Sequence, residues 1–290
     1  MRSLLRALLL ACAVATTPLA AQMPPSLTMA HAPFRVIGNV YYVGTADLAS
    51  YLIATPQGLI LINSDLESSV PQIQQNIEAL GFHFRDVKIL LISHAHFDHC
   101  AGSALIKKLT GATYMVMDAD VPVIESGGRA DFNYGGDSTF AFPPAKVDRV
   151  LHDGDEVRLG KVVLVAHLTA GHTKGCTTWT MNVTDGGRVY HVVIVGGPYV
   201  NTGYQLVRNA KYPTIAQDYA RGFSTLKSLP CDVFLGAHGG YFDMEAKFAR
   251  LTAGQTGPNP FIDQAGYTAF VADREQDFRT ELAKQSSGLQ

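Results

Sequence analysis

Ser93-His94-Ala95-His96-Phe97-Asp98-His99 sets three imidazoles and a carboxylate within six residues. It directly follows Val87-Lys88-Ile89-Leu90-Leu91-Ile92, a near-continuous apolar run of the kind that forms a strand buried on both faces. Imidazole and carboxylate suit zinc and similar divalent ions. Four such groups exceed what one ion with an open position needs, so the spacing points to two ions side by side. Two more histidines complete the arithmetic. Gly171-His172-Thr173 follows an apolar run at 162–167, and Ala237-His238-Gly239-Gly240 follows another at 232–235. His94, His172 and His238 thus fall at or beyond strand ends, where loops on a rigid scaffold carry function. Two sites of three ligands need six groups, and His94, His96, Asp98, His99, His172 and His238 supply them.

Working outward, strands with turns are expected over 34–44, 50–55 and 59–63, with hairpin turns at Gly38-Asn39 and Gln57-Gly58. Val70, Ile73, Ile77 and Leu80 have helical spacing and stop at Gly81. A helix over 101–109 and a strand over 113–117 follow. Residues 127–144 hold four glycines, two prolines and the rings of Phe132, Tyr134, Phe140 and Phe142. An irregular loop of that length inside a domain is more often functional than accidental. Strands are expected again over 156–159, 161–167, 177–183 and 188–195, a helix over 213–229, a strand over 232–235, and helices over 242–251 and 261–284. Mixed blocks of strands and helices imply an α+β sandwich, two packed sheets with helices outside.

The chain has 290 residues, 47% hydrophobic, enough for a large core. Residues 1–21 read as an export signal: Arg2 and Arg6, an apolar stretch from Leu4 to Val14, and Leu19-Ala20-Ala21 before the expected cut. That stretch is too short for a stable membrane span. Leu9-Leu10-Ala11-Cys12 is the rival, a lipoprotein processing site. The rest, 22–290, reads as one domain, with a loose Pro-rich arm at 22–33. Losing Arg2 and Arg6 takes the formal charge from −2 to −4. With no basic run or aromatic-basic stripe, nucleic acid is not an expected partner. Cys100, Cys176 and Cys231 remain in the mature chain, an odd number, so disulfides do not organise the fold.

The pattern His94-x-His96-x-Asp98-His99, then Gly171-His172-Thr173, then His238 resembles the metallo-β-lactamase superfamily over about residues 33–285. The resemblance implies a four-layer αββα sandwich. Relatives that hydrolyse thioesters, lactones or RNA use an acid bridging the two metals at the end of the strand after the third histidine. Here that strand ends Gly196-Gly197, with no acid. Relatives that use a cysteine as a second-metal ligand do not fit either. Subclass B3 β-lactamases use the histidine after the aspartate, as His99 allows. Tyr41-Tyr42-Val43-Gly44-Thr45, Gly203-Tyr204-Gln205-Leu206 and Leu229-Pro230-Cys231-Asp232-Val233 also resemble B3 enzymes.

The resemblance implies two zinc ions per chain: His94, His96 and His172 on the first, Asp98, His99 and His238 on the second. It implies an enzyme that opens the β-lactam amide of penicillins, cephalosporins or carbapenems with a metal-bound hydroxide and so confers antibiotic resistance; the export signal implies a periplasmic location, and a monomer is expected. Asp98 would orient the nucleophile and Tyr204 would help stabilise the oxyanion, or else pack. The rival is another hydrolase on the same scaffold, a lactonase or thioesterase. The serine that many relatives carry near Gly197 for the substrate carboxylate is missing, leaving Thr173, Lys174, Tyr199 or Asn201 for that contact. Cys231 lacks its usual partner in the last helix, so that disulfide is not expected, while Cys100 and Cys176 both flank ligands and could approach each other. Trp179 reads as core, and the rings at 132–142 as a substrate-covering loop or a satellite core. Asn63 and Asp65 read as supports for the ligating histidines or as turn residues. His31, His83, His152, His167 and His191 lack motif support.

Overall fold

A computed structural model describes residues 24–254 and 257–288. The expected export signal, its cut site and Cys12 lie outside the described residues. Among the described residues no helix is long and apolar enough to cross a membrane.

The first half builds a seven-stranded sheet in chain order: β1 (Phe34–Ile37), β2 (Val40–Tyr42), β3 (Tyr51–Thr55), β4 (Gly58–Ile62), β5 (Val87–Leu91), β6 (Thr113–Met117) and β7 (Arg149–Leu151). β1 to β4 are antiparallel neighbours, and β4 to β7 pair in parallel. The expected Gly38-Asn39 turn joins β1 and β2 into a hairpin, with Gly38 at φ +51°. Helices α1 (Val70–Ala79), α2 (Phe97–Cys100), α3 (Ser103–Thr110) and α4 (Val121–Glu125) come from the crossovers. The second half builds β8 (Glu156–Leu159), β9 (Val162–Leu168), β10 (Thr177–Asp185), β11 (Arg188–Val195) and β12 (Val233–Gly236). They lie in the order 12-11-10-9-8 and are antiparallel except for the β11–β12 pair. α5 (Ile215–Ser228), α6 (Met244–Thr252) and α7 (Gln264–Ser287) complete the chain.

Alternation along the strands assigns the layers, because successive side chains point to opposite faces. Ile60, Ile62, Ile89 and Leu91 join Leu164, Trp179 and Val192 in a core between the sheets, while Val195, on the other face of β11, lies with Phe223 of α5 in the outer helix layer. Leu59, Leu61 and Leu90 face the other way and pack with Ile73 and Ile77 of α1 and Ile106 of α3. The architecture is therefore αββα, an α+β sandwich, and β4 and β5 are apolar throughout because both faces are covered. Trp179 is core, its Nε1–H donating to the Ile92 carbonyl at 3.0 Å.

Over 24–33 the structure departs from a loose arm. Pro25–Leu27 form a 3₁₀ turn, Ala30 bridges to Thr45, and His31 is buried against Phe34, Tyr42 and Phe248. The last helix begins at Gln264 rather than 261. Asp263 stops it there by accepting the Gly266 N–H at 2.8 Å, an N-cap.

Candidate metal centre

The ends of β4, β5, β6, β9, β11 and β12 meet at one edge of the sandwich, and the loops leaving them carry the site. Asn63, at φ +67°, takes the Ser93 N–H on Oδ1 and gives its amide to the Ala49 carbonyl. Asp65, at φ +51°, accepts from Ser50. Neither touches a histidine; they shape the turn on which the β5 loop rests. Past Ser93 the chain bends, and His96 takes an extended conformation (φ −97°, ψ 150°) just before α2. It then coils into α2, which brings Asp98 and His99 round to the same place.

The six expected ligands converge. His94, His96 and His172 offer ligand atoms within 4.8 Å of one another, as do His94, Asp98 and His99. His99 Nε2 lies 3.1 Å from His238 Nε2, and Asp98 Oδ2 lies 3.4 and 3.6 Å from those nitrogens. Ligands about 2.05 Å from a tetrahedral ion lie roughly 3.3 Å apart, so this spacing fits zinc. The hydrogen bonds behind the rings fix their tautomers. His172 Nδ1–H donates to the Tyr199 carbonyl (2.8 Å) and His238 Nδ1–H to Asp47 (2.9 Å), leaving each Nε2 free. His96 Nε2 lies 3.8 Å from Asp131 Oδ2.

Burial pushes His94, His96 and His99 well below the ordinary imidazole range and His172 down to about 4, so these rings are neutral at neutral pH, the form that could bind a metal. For His238 burial also lowers, but the Asp47 hydrogen bond and the charges of Asp98 and Asp47 outweigh it and raise the group.

Asp47, Asp120 and Asp131 are the polar partners that sequence spacing did not mark. Asp47 is 191 residues from the histidine it holds. Asp120 is the buried acceptor for the Ala95 and Gly175 N–H groups and the Thr173 hydroxyl. Thr173 is thus turned inward, away from any substrate, and Lys174 lies 5.4 Å over the Tyr212 ring.

A cavity of about 430 Å³ opens above the centre, with His96, Asp98, His172 and His238 among its lining residues. Tyr134, Phe140 and Phe142 of the 127–144 loop wall one side; Tyr199, Asn201 and Tyr241 wall another. The loop thus covers the site, although Phe132 packs inward on Tyr204 and Tyr212. Tyr204 is 2% exposed; its hydroxyl donates to the His172 carbonyl at 2.9 Å and lies 3.4 Å from His96 Nε2, beside the three-histidine set.

The metallo-β-lactamase superfamily model matches residues 47–185. The FEZ-1 metallo-β-lactamase of Legionella gormanii superposes with a TM-score of 0.87 at 57% identity, over 89% of this chain and 98% of that one. BJP-1, a subclass B3 metallo-β-lactamase of Bradyrhizobium japonicum, does so with 0.84 at 39% identity, over 91% and 98%. The chain belongs to the metallo-β-lactamase superfamily. A probable metallo-hydrolase of Burkholderia pseudomallei is 32% identical over 114 residues, 39% of this chain and 37% of that relative, so the chain spans under two-fifths of its length.

This superfamily member has no room for an acid or a serine after β11. A Cβ on Gly197 would meet His172 Cδ2 at 2.6 Å, and one on Gly196 would meet Cys176 Sγ at 2.9 Å. Cys100, Cys176 and Cys231 are free and buried. Cys100 donates to the His96 carbonyl and Cys176 accepts the Gly197 N–H, so each thiol is engaged separately.

Proposed function

We propose that the protein is an exported zinc β-lactamase of the subclass B3 type, opening the amide of penicillins, cephalosporins or carbapenems and so conferring antibiotic resistance. In this reading His94, His96 and His172 hold one zinc, and Asp98, His99 and His238 hold a second. The observation that carries it is the Asp98–His99–His238 set at ligand spacing, beside a β11 end with no space for a bridging acid. The likeness to FEZ-1 and BJP-1 over nearly their whole length supports the choice of substrate.

Bound zinc supplies Lewis acidity and lowers the pKa of water to about 7, so no serine nucleophile is needed. The chain's own groups do the rest. Asp98 is the carboxylate of the ligand set that lines the cavity, where it would orient the attacking hydroxide. A cavity of this size suits a drug-sized ligand, and its aromatic walls exclude water around the reacting amide. With Thr173 turned inward, Tyr199 and Asn201 are the groups placed to receive the substrate carboxylate. Residues 1–21 are in this reading the export leader, 22–290 one domain, the location the periplasm, and the enzyme a monomer.

The test is a panel of β-lactams, with an acyl lactone and a thioester as controls, assayed with and without a chelator. Chelator-sensitive turnover of at least one β-lactam class is expected. Turnover of the lactone or thioester alone would overturn the reading in favour of another hydrolase on this scaffold.

A further inference from the structure

Thr173 and Gly175, in the Gly171-His172-Thr173-Lys174-Gly175 stretch, aim at the same buried carboxylate. Asp120 ends the 3₁₀ turn Asp118–Asp120 between β6 and α4 and is 1% exposed. Its Oδ2 accepts the Ala95 N–H at 2.9 Å and the Thr173 hydroxyl at 2.8 Å, and its Oδ1 accepts the Gly175 N–H at 2.8 Å. Ala95 stands between His94 and His96; Thr173 is next to His172. The donors come from the loop after β5 in one sheet and the loop after β9 in the other. One side chain therefore bridges the two halves of the three-histidine set. The approach is close enough that a Cβ on Gly175 would lie 2.6 to 2.7 Å from Asp120 atoms, so glycine is required there. Three donors on one carboxylate, with no water between, fix position more tightly than loop backbone alone, because charge-assisted hydrogen bonds are short and strong. A ligand set held by such partners loses metal affinity when they are removed.

We propose that Asp120 is a positioning residue that sets the distance of His172 from His94 and His96, and through it the zinc affinity of that set. The inference rests on the reading that these three histidines hold metal. Asp120 touches neither substrate nor ion; it acts through the Ala95 and Gly175 N–H groups and the Thr173 hydroxyl. Changing Asp120 to Asn would turn an amide N–H₂ toward groups that are all donors. Thr173→Val removes one donor while nearly keeping shape, and Thr173→Ser restores the hydroxyl.

The experiment is a zinc competition titration against a chromophoric chelator, with cobalt(II) absorption as a second readout. It is run on the wild type and on Asp120→Asn, Thr173→Val and Thr173→Ser. A His99→Ala background isolates the three-histidine set. In that background Asp120→Asn and Thr173→Val are expected to bind zinc roughly 10- to 100-fold more weakly, with an altered cobalt spectrum, and Thr173→Ser to match its parent. Should Asp120→Asn fail to fold, Thr173→Val still decides. Folded variants that lose thermal stability but keep parental zinc affinity would overturn the inference and leave the metal reading intact. A wild type with no tight zinc site would overturn the metal reading, and the inference with it.

Discussion

Gly197 and His99 account for each other. The backbone at Gly197 runs so close to the His172 ring that no side chain fits, so the strand end cannot supply a metal ligand. The second ligand set then depends on His99, whose Nε2 stands 3.1 Å from that of His238. His99→Ala is expected to reduce zinc from two ions per chain to one and to cut β-lactam turnover at least about 100-fold; metal analysis with steady-state kinetics measures both. Gly197→Ser is expected to push the His172 ring aside and weaken zinc binding at least about tenfold rather than improve carboxylate binding. A rise in zinc affinity or a lower KM in that variant would contradict the packing argument. The six clustering residues were legible because their residue types are distinctive and four fall within one six-residue run. Asp47, Asp120 and Asp131 were not. They are ordinary aspartates whose meaning comes only from contacts made across the fold, and no short spacing announces them. Tyr204, which sequence places beside the site, has its hydroxyl 3.4 Å from His96 Nε2.

Among elements, the strands with unbroken apolar runs and the helices with clear stops were read nearly to the residue, β6 and β11 among them. β7 and α4 were missed. β7 is three residues with only Leu151 buried, and α4 is a five-residue helix opened by Pro122, each too short to show a period. The 24–33 segment is proline-rich, but tertiary contacts to His31 hold it where composition suggests freedom. α7 owes its start to Asp263, which caps Gly266 and also pairs with the buried Lys247 at 2.7 Å. Asp263→Ala removes the cap and strands that ammonium over the Phe234 and Phe242 rings, so a loss of about 3 kcal/mol is expected from denaturant titration. A loss below about 1 kcal/mol would mean that only the cap matters.

For the whole molecule, the site lies where loops from both sheets meet, so its charge state bears on the stability of the fold. With His172 held near 4 against an ordinary 6.5, the unfolded chain binds a proton between those values that the folded metal-free chain refuses. Stability of the apoprotein must therefore rise with pH across that window and fall on acidification. From pH 6.5 to 5 this one ring contributes about 1.6 kcal/mol of loss, measurable as a drop in the urea midpoint. His94, His96 and His99 shift in the same direction and add to it. The αββα class was legible from the order of strands and helices, while the seam between the sheets became visible only with the strand register in hand. The most direct measurement is β-lactam turnover by the purified mature chain with zinc content counted in the same sample. The account predicts two zinc ions per chain, hydrolysis that a chelator abolishes, and recovery on adding zinc back. A chain fully loaded with zinc that opens no penicillin, cephalosporin or carbapenem would contradict it.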